Sequence, residues 1–408
     1  RQRQMCIRDS FSAVVFIGYA GQFGWKYGIA ATWAGIGNAI LGSLLVWVVL
    51  GRRTRIMTQH FDSTTMPQFF GQRFQSPSLK IGASIIIFIF LIPYTASLFN
   101  GLSRLFGMAF NIDYTVCIIL MGVLTGIYVI AGGYMATAIN DFVQGCIMLV
   151  GICAVVGAIL NTQGGFSEAL HNLAAVSDST TTNGDVPGIY ASFFGPEPVN
   201  LLGVVLLTSL GTWGLPQMVQ KFYAIKSEDA IHKGTVISTI FALVVSGGCY
   251  FMGGFGRLFS DQVDVATEGY DAIVPTMLSN LPELLIAIVV ILVLSASMST
   301  LSALVMTSSS TITLDLLKGN MVKKMNDFQA VFIIRCFIVV FIIISMVIAI
   351  IQYKYSISFI AQLMGVSWGA LAGAFLAPFL YGLYWKKATS AACWASFLFS
   401  TVVMLSNI

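Results

Sequence analysis

The feature that most constrains this chain is a succession of long apolar runs separated by short polar loops. Eleven such runs lie at about 11–26, 29–50, 79–106, 114–132, 138–160, 201–222, 235–257, 281–316, 329–351, 356–384 and 388–406. About 20 residues of α-helix cross the hydrocarbon core of a bilayer. In lipid each backbone N–H and C=O must be satisfied within the segment, so the runs read as helices; the short alternating strands of a barrel are absent from the sequence. Only 9% of the 408 residues are charged and 57% are hydrophobic, against about 25% charged in soluble domains. The expected class is an all-α integral membrane protein.

Charge in the loops predicts topology. Alternate loops hold Arg52, Arg53, Arg55, Arg73 and Lys80; Lys221, Lys226 and Lys233; Lys318, Lys323, Lys324 and Arg335; and Lys386 and Lys387. The opposite side has only Lys26, Arg104, Arg257 and Lys354, and carries the acidic loops 161–200 and 258–283. The excess of Lys and Arg marks the cytoplasmic side. The expectation is a multi-pass plasma-membrane protein with the loops at 51–80, 221–233, 318–328 and 386–387 cytoplasmic. The first and sixth runs then cross in opposite senses, the condition for an inverted repeat. The first repeat is expected over 11–160, a large extracellular loop over 161–200, the inverted second repeat over 201–384, and a further helix over 385–408. The opening decapeptide "RQRQMCIRDS" is polar and basic and abuts an apolar run. It is expected to be a non-native tail over 1–10, a short genuine basic tail being the other reading; both ends are expected to be truncated.

The first run of each half is interrupted. One contains "FIGYAGQFG" (16–24) and the other "SLGTWGLPQ" (209–217). Gly costs about 1 kcal/mol in a helix interior and Pro about 3. Matched interruptions point to a transporter site, because unwound backbone frees carbonyls and amides for a ligand. The other reading is that glycines let membrane helices pack closely.

Motifs for other chemistries are missing. There is no GxxxxGK[ST] loop for ATP, no TVGYG filter, no HExxH and no CxxC; the three His lie far apart. No enzyme is expected. Asp141 and Arg335 fall near the cytoplasmic ends of their runs. Hydroxyls stand out instead: "ILVLSASMSTLSALVMTSSST" (291–311) has ten Ser or Thr among 21 residues. Ala296, Ser299 and Thr300 stand at i, i+3 and i+4, on one helix face. Neutral oxygens suit a hard monovalent cation such as Na+; hydrogen bonding to backbone and neighbouring helices is the alternative for the same residues. The "TSSST" run is expected at a hydrated cytoplasmic end.

Four stretches carry a resemblance. "YVIAGGYMATAINDFVQG" (128–145), "GLPQMVQKFYAIKS" (214–227), "ASMSTLSALVMTSSSTITLDLLK" (296–318) and "PFLYGLYWKKAT" (378–389) resemble, in order, signatures of the sodium/solute symporter family. The first departs in Tyr134 and in Asn140 before Asp141. The resemblance covers about 12–405 and implies a LeuT-type inverted repeat of five plus five transmembrane helices plus one further C-terminal helix. It implies Na+ as coupling ion, held by the Ala296 carbonyl, the Ser299 and Thr300 hydroxyls, and carbonyls from the first-helix break at about Asp9 and Ser12. By the same analogy Tyr94 in "IPYTAS", Thr208, Thr212, Trp213, Pro216, Gln217 and Gln362 in "FIAQLMG" face the solute, with packing the other reading for Tyr94 and Trp213. Asp141 then anchors a cytoplasmic loop and gate.

The implied function is sodium-coupled symport, by alternating access, of a small organic solute: an amino acid such as proline, or a small carboxylate or vitamin. The expected partners are that solute and the lipid bilayer, with no nucleic acid and no obligate protein partner. A non-transporting sensor or structural protein on the same scaffold, or a proton-coupled carrier, are the alternatives. The last needs a titratable group deep in a span, and the sequence offers none.

Overall fold

The computed structural model describes residues 12–179, 181–223, 228–318, 322, 325–355 and 360–406; for 132–144, 220–221 and 228–230 it describes the backbone alone. Asp9, and the decapeptide expected to be a tail, lie outside these residues, as does the side chain of Asp141. Among the described residues the chain is helical, without a strand.

A π-helical run, Val14–Tyr19, leads into α1 (Ala20–Tyr27). The chain reverses at Gly28, whose φ is +60° and whose missing side chain admits the Tyr190 carbonyl. A three-ten turn then starts α2 (Thr32–Ala39), which continues through two π-helical runs, Ile40–Leu45 and Trp47–Gly51, into α3 (Arg52–His60). Next come the short α4 (Met66–Arg73), whose N-cap is Thr65, and the long α5 (Pro77–Phe110). The 49-residue α6 (Tyr114–Thr162) contains two apolar spans, Tyr114–Ala131 and Gly145–Thr162. Both touch one stretch of a later helix: the Thr125 hydroxyl lies 3.5 Å from Met298 Sδ, and Gly151 packs against Leu292. Those two contact points are about 9 Å apart, whereas 26 residues of straight helix would span about 39 Å. α6 is therefore not straight between its two spans.

After α7 (Phe166–Ala175) and a loop, α8 (Pro198–Leu210) ends in a three-ten turn, Gly211–Gly214; Leu215 is extended, and α9 (Pro216–Tyr223) restarts with Pro at its first position. Then follow α10 (Glu228–Gly253), α11 (Val265–Glu268), α12 (Ile273–Ser279) and α13 (Glu283–Ser310), which runs on as a π-helix over Thr311–Leu317. The chain closes with α14 (Asp327–Tyr355), α15 (Ile360–Tyr384) and α16 (Ser390–Leu405). Eight helical stretches among the described residues are long and apolar enough to cross a membrane; Pro198–Gly214 and Ser390–Leu405 are shorter apolar helices.

α2 with its π-helical extension lies antiparallel to α10. Gly35 meets Gly247, Asn38 donates to Ser246 Oγ (3.2 Å), Ser43 to Ser238 Oγ (2.9 Å), and Gly51 faces Ile231. Beside them, a Cβ at Gly24 would overlap the backbone of Gly253. The glycines of "FIGYAGQFG" thus serve close packing: Gly18 against Ile360, Gly21 against the Tyr270 carbonyl, which a Cβ would meet at 2.9 Å, and Gly24 against Gly253. The backbone there stays helical. Ser12 lies outside the helix, and the π-helical run that follows includes Gly18.

The basic loops gather at one end of the bundle. Arg73 donates to the carbonyls of Gly382 (2.8 Å) and Trp385 (3.0 Å), Tyr384 donates to Val49, and the Arg53 guanidinium lies 4.2 Å from the Tyr384 ring centre. At the other end Arg257 is sandwiched between Trp25 and Tyr190, donates to the Trp25 carbonyl (2.6 Å), and pairs with Asp178 at 2.8 Å.

Candidate ion and solute site

The start of the first helix is held between two others. Gly101 of α5 brings its backbone against Ala13, where a Cβ would sit 3.0 Å from the Ala13 Cβ. From the other side Ser297 of α13 reaches across: the Ala13 N–H donates to Ser297 Oγ at 2.9 Å, a bond between residues 284 apart. This places Ser12 beside the α13 turn that carries Ala296, Ser299 and Thr300. All four are buried. Thr300 Oγ1 donates to the Ala296 carbonyl (3.1 Å), which spends its proton and leaves its lone pairs outward. The Ser12 hydroxyl is 1% exposed and has no partner. The set is made of buried neutral carbonyl and hydroxyl oxygens, with the orphaned Ser12 hydroxyl beside a Ser12 carbonyl that accepts the Phe16 N–H at 2.9 Å. Such a set fits a hard monovalent cation, strong enough to bind and weak enough to release.

The other helix break lines a cavity of about 50 Å³. Thr208, Thr212 and Trp213 face it from α8 and the three-ten turn, with Asn38 and Ser43 from α2 and its extension, Tyr250 from α10, and Trp368 from α15. The hydroxyls of Thr208 and Thr212 donate to their own helix, at 2.9 Å to Val204 and 2.7 Å to Ser209. The indole of Trp213 donates to the Leu41 carbonyl at 2.9 Å. A chain of hydrogen bonds backs the wall: Ser209 Oγ donates to Asn38 Oδ1 (3.3 Å) and Asn38 Nδ2 to Ser246 Oγ. None of the lining residues is acidic or basic.

The remaining candidates fall elsewhere. Tyr94 stands behind the cavity, edge-on to Trp368 with ring centres 5.9 Å apart. Pro216 caps α9. Gln217 follows it, 4% exposed, with both amide atoms lacking partners, and does not line the cavity. Gln362 is exposed on the first turn of α15, away from the cavity.

The chain matches the profile of the sodium:solute symporter family over residues 5–398. The chain belongs to that family. Na+ is therefore its coupling ion and a small solute its cargo. The osmoregulated proline transporter OpuE of Bacillus subtilis (strain 168) is 27% identical over 93% of this chain and 75% of its own length. The sodium/proline symporter of Staphylococcus aureus is 29% identical over 93% and 73%. Among solved structures, a Na+-coupled sialic acid symporter in a substrate-bound outward-open state superposes with a TM-score of 0.77 at 18% identity, over 99% of this chain and 82% of that one. A nucleobase-cation-symport-1 family transporter in a closed conformation gives 0.53 at 12% identity, over 100% and 90%. The fold is LeuT-type.

Two parts of the symporter escape a reading of its sequence. The "TSSST" run is not hydrated: Thr307, Ser308, Ser309 and Thr311 are buried, and the hydroxyls of Ser308, Ser309 and Thr311 have no partner. They sit inside the bundle because the helix continues past them to a buried carboxylate, Asp315. That group accepts from Thr65 Oγ1 (2.7 Å) and Gln68 Nε2 (2.7 Å), with Lys80 Nζ at 3.7 Å. The other missed residues are Asn38, Tyr250 and Ser297. Asn38 is one of few amides within an apolar run, which is a usable signal; Ser297 is one hydroxyl among ten and gives none.

Proposed function

We propose that this symporter carries a small zwitterionic amino acid, proline being the first to test, inward across the plasma membrane with Na+. The ion binds among the carbonyls of Ala296 and Ser12 and the hydroxyls of Ser299 and Thr300. The observation that carries this reading is the Ala13–Ser297 bond, which brings the start of the first helix to the hydroxyl turn of α13. Na+ at that junction ties the two helices together, and its loss frees them. The basic end is the cytoplasmic one, by the excess of Lys and Arg. An inward-moving charge then gains about 2.3 kcal/mol per 100 mV of membrane potential.

The solute binds at the sixth-helix break. Hydroxyls and aromatic rings without formal charge favour a cargo whose own charges cancel; a net-charged one would be desolvated without a counter-ion. A cavity of 50 Å³ holds one or two waters. An amino acid therefore parts Trp213 from Trp368 on entry. Its carboxylate is oriented toward the start of α9, as anions are at helix starts. Relatives named as proline transporters support proline as the first candidate.

The test is uptake of radiolabelled proline and a panel of other amino acids into proteoliposomes with an imposed Na+ gradient. Na+-driven accumulation is expected, abolished by Ser299→Ala with Thr300→Ala. Accumulation that is indifferent to replacing Na+ by choline, or to the double substitution, refutes the ion site. Uptake only of net-charged solutes refutes the cargo class.

A further inference from the structure

We infer that Ser297 is a positioning residue for the coupling ion: its hydroxyl holds the Ala13 amide and keeps the Ser12 carbonyl in register with Ala296, Ser299 and Thr300 when no ion is present. The inference rests on the ion site proposed above, and it concerns a residue outside that ligand set.

The geometry is specific. Ser297 is fully buried, and its Oγ accepts the Ala13 N–H at 2.9 Å. Ala13 lies in the first turn of its helix, where backbone amides lack intrahelical partners. A buried amide left without an acceptor is costly. The Ser297 hydroxyl supplies that acceptor from another helix and so fixes which turn of α13 the first helix meets. Gly101 closes the opposite side, so Ala13 is held from both sides. Ser297 is adjacent in sequence to Ala296 and two residues before Ser299. Any slip of the first helix along α13 therefore separates Ser12 from the ligand turn and breaks the Ala13–Ser297 bond together. Sodium then binds a site already assembled, and the ordering cost is met before the ion arrives. Without the hydroxyl, the ion must gather the two helices itself.

The experiment compares Ser297→Ala and Ser297→Thr with the parent in proteoliposomes, titrating Na+ and Li+ at saturating solute. Thermal unfolding in NaCl against choline chloride gives a readout independent of transport, since a ligand bound to the folded state raises its Tm. For Ser297→Ala the half-saturating Na+ concentration is expected to rise about fivefold, the worth of one buried hydrogen bond. Maximal uptake is retained, and the Na+-dependent Tm gain is reduced at the same concentration. Half-saturation by Li+ rises by the same factor, because the ligand oxygens are unchanged; a lost ligand would alter the ratio between the ions. Ser297→Thr keeps the hydroxyl and restores the parent values. Half-saturation within twofold of the parent in folded Ser297→Ala overturns the inference. So does a fall in maximal uptake at unchanged Na+ affinity, or failure of Ser297→Thr to restore. If Ser297→Ala does not fold, wild-type ion affinity in Ser297→Thr supports the role and a shifted Li+/Na+ ratio in it overturns it. Run in parallel, Ser299→Ala with Thr300→Ala separates the two readings. Intact Na+ dependence there removes the ligand assignment, while a Ser297→Ala shift alongside it still supports the tether.

Discussion

At the sixth-helix crossing the chain unwinds: α8 gives way to a three-ten turn, Leu215 is extended, and Pro216 begins a new helix. At the first crossing a stretch just as rich in glycine stays wound from Ala13 to Tyr27, and its glycines press against other backbones. The contrast shows that glycine in a membrane helix can release backbone groups or remove a side chain, and that its neighbours decide which. Gly211 and Gly214 precede Pro216, which supplies no N–H to the ladder and clashes with the turn before it. Gly18, Gly21 and Gly24 have no proline near and lie three residues apart on one face, where they form a smooth strip.

The largest expected effect breaks that strip. Gly24→Ala puts a methyl into the Gly253 backbone, which has no rotamer to move aside. Overpacking of this kind costs about 1–3 kcal/mol or more, and loss of monodisperse protein on gel filtration is expected. A normally folded variant would show that the strip is not a tight contact.

Next comes the loop that rests on the same strip. The Tyr270 carbonyl abuts Gly21, and Asp271 beside it is 4% exposed, accepting the Ile360 N–H at 3.1 Å with its other oxygen unpartnered. It faces a cavity lined also by Arg104, Tyr114, Glu268 and Tyr353. Burial pushes its carboxyl up to about 6, with the Ile360 amide and Arg104 pulling the other way. Because the folded value is raised, the fold holds the proton more tightly than the unfolded chain. The associated stability is present at about pH 4 and below and is lost as pH rises to about 6, by up to about 3 kcal/mol. Thermal unfolding across pH 4–7 is expected to show that loss in the parent and not in Asp271→Asn; parallel curves would contradict the burial of the group.

At the sixth-helix break the expected sign reverses. Gln217 buries an amide with no partner. Gln217→Met is expected to stabilise the fold by about 1–2 kcal/mol, read as a higher Tm. A lower Tm would mean that the amide is bonded in the native protein. The smallest effect is the control: nothing lies within 4 Å of a Cβ at Gly203 in α8. Gly203→Ala is expected to gain about 0.5–1 kcal/mol and to leave uptake unchanged.

The spans were legible because bilayer thickness and helix rise together fix an apolar length, and eight helical stretches among the described residues meet it. The second break was legible because glycine and proline together are a poor helix. The break expected at 16–24 is not found there, since glycine alone does not tell packing from unwinding. Ser297 and Asp315 were opaque for a different reason. Their meaning lies in partners 284 and 250 residues away, and a local pattern of hydroxyls carries no record of which ones face a distant helix. The hydration expected for "TSSST" failed likewise: distance along a helix is written in the sequence, but cover by its neighbours is not.

The backbone contacts of Gly24 with Gly253 and of Gly35 with Gly247 leave no layer of side chains between α1, α2 and α10 at those points. Packed side chains can slide by changing rotamers; two bare backbones can only separate. Probes placed on α1 and α10 should therefore keep a constant spacing through the transport cycle. That pair supplies a built-in ruler, against which any displacement of the other helices can be read.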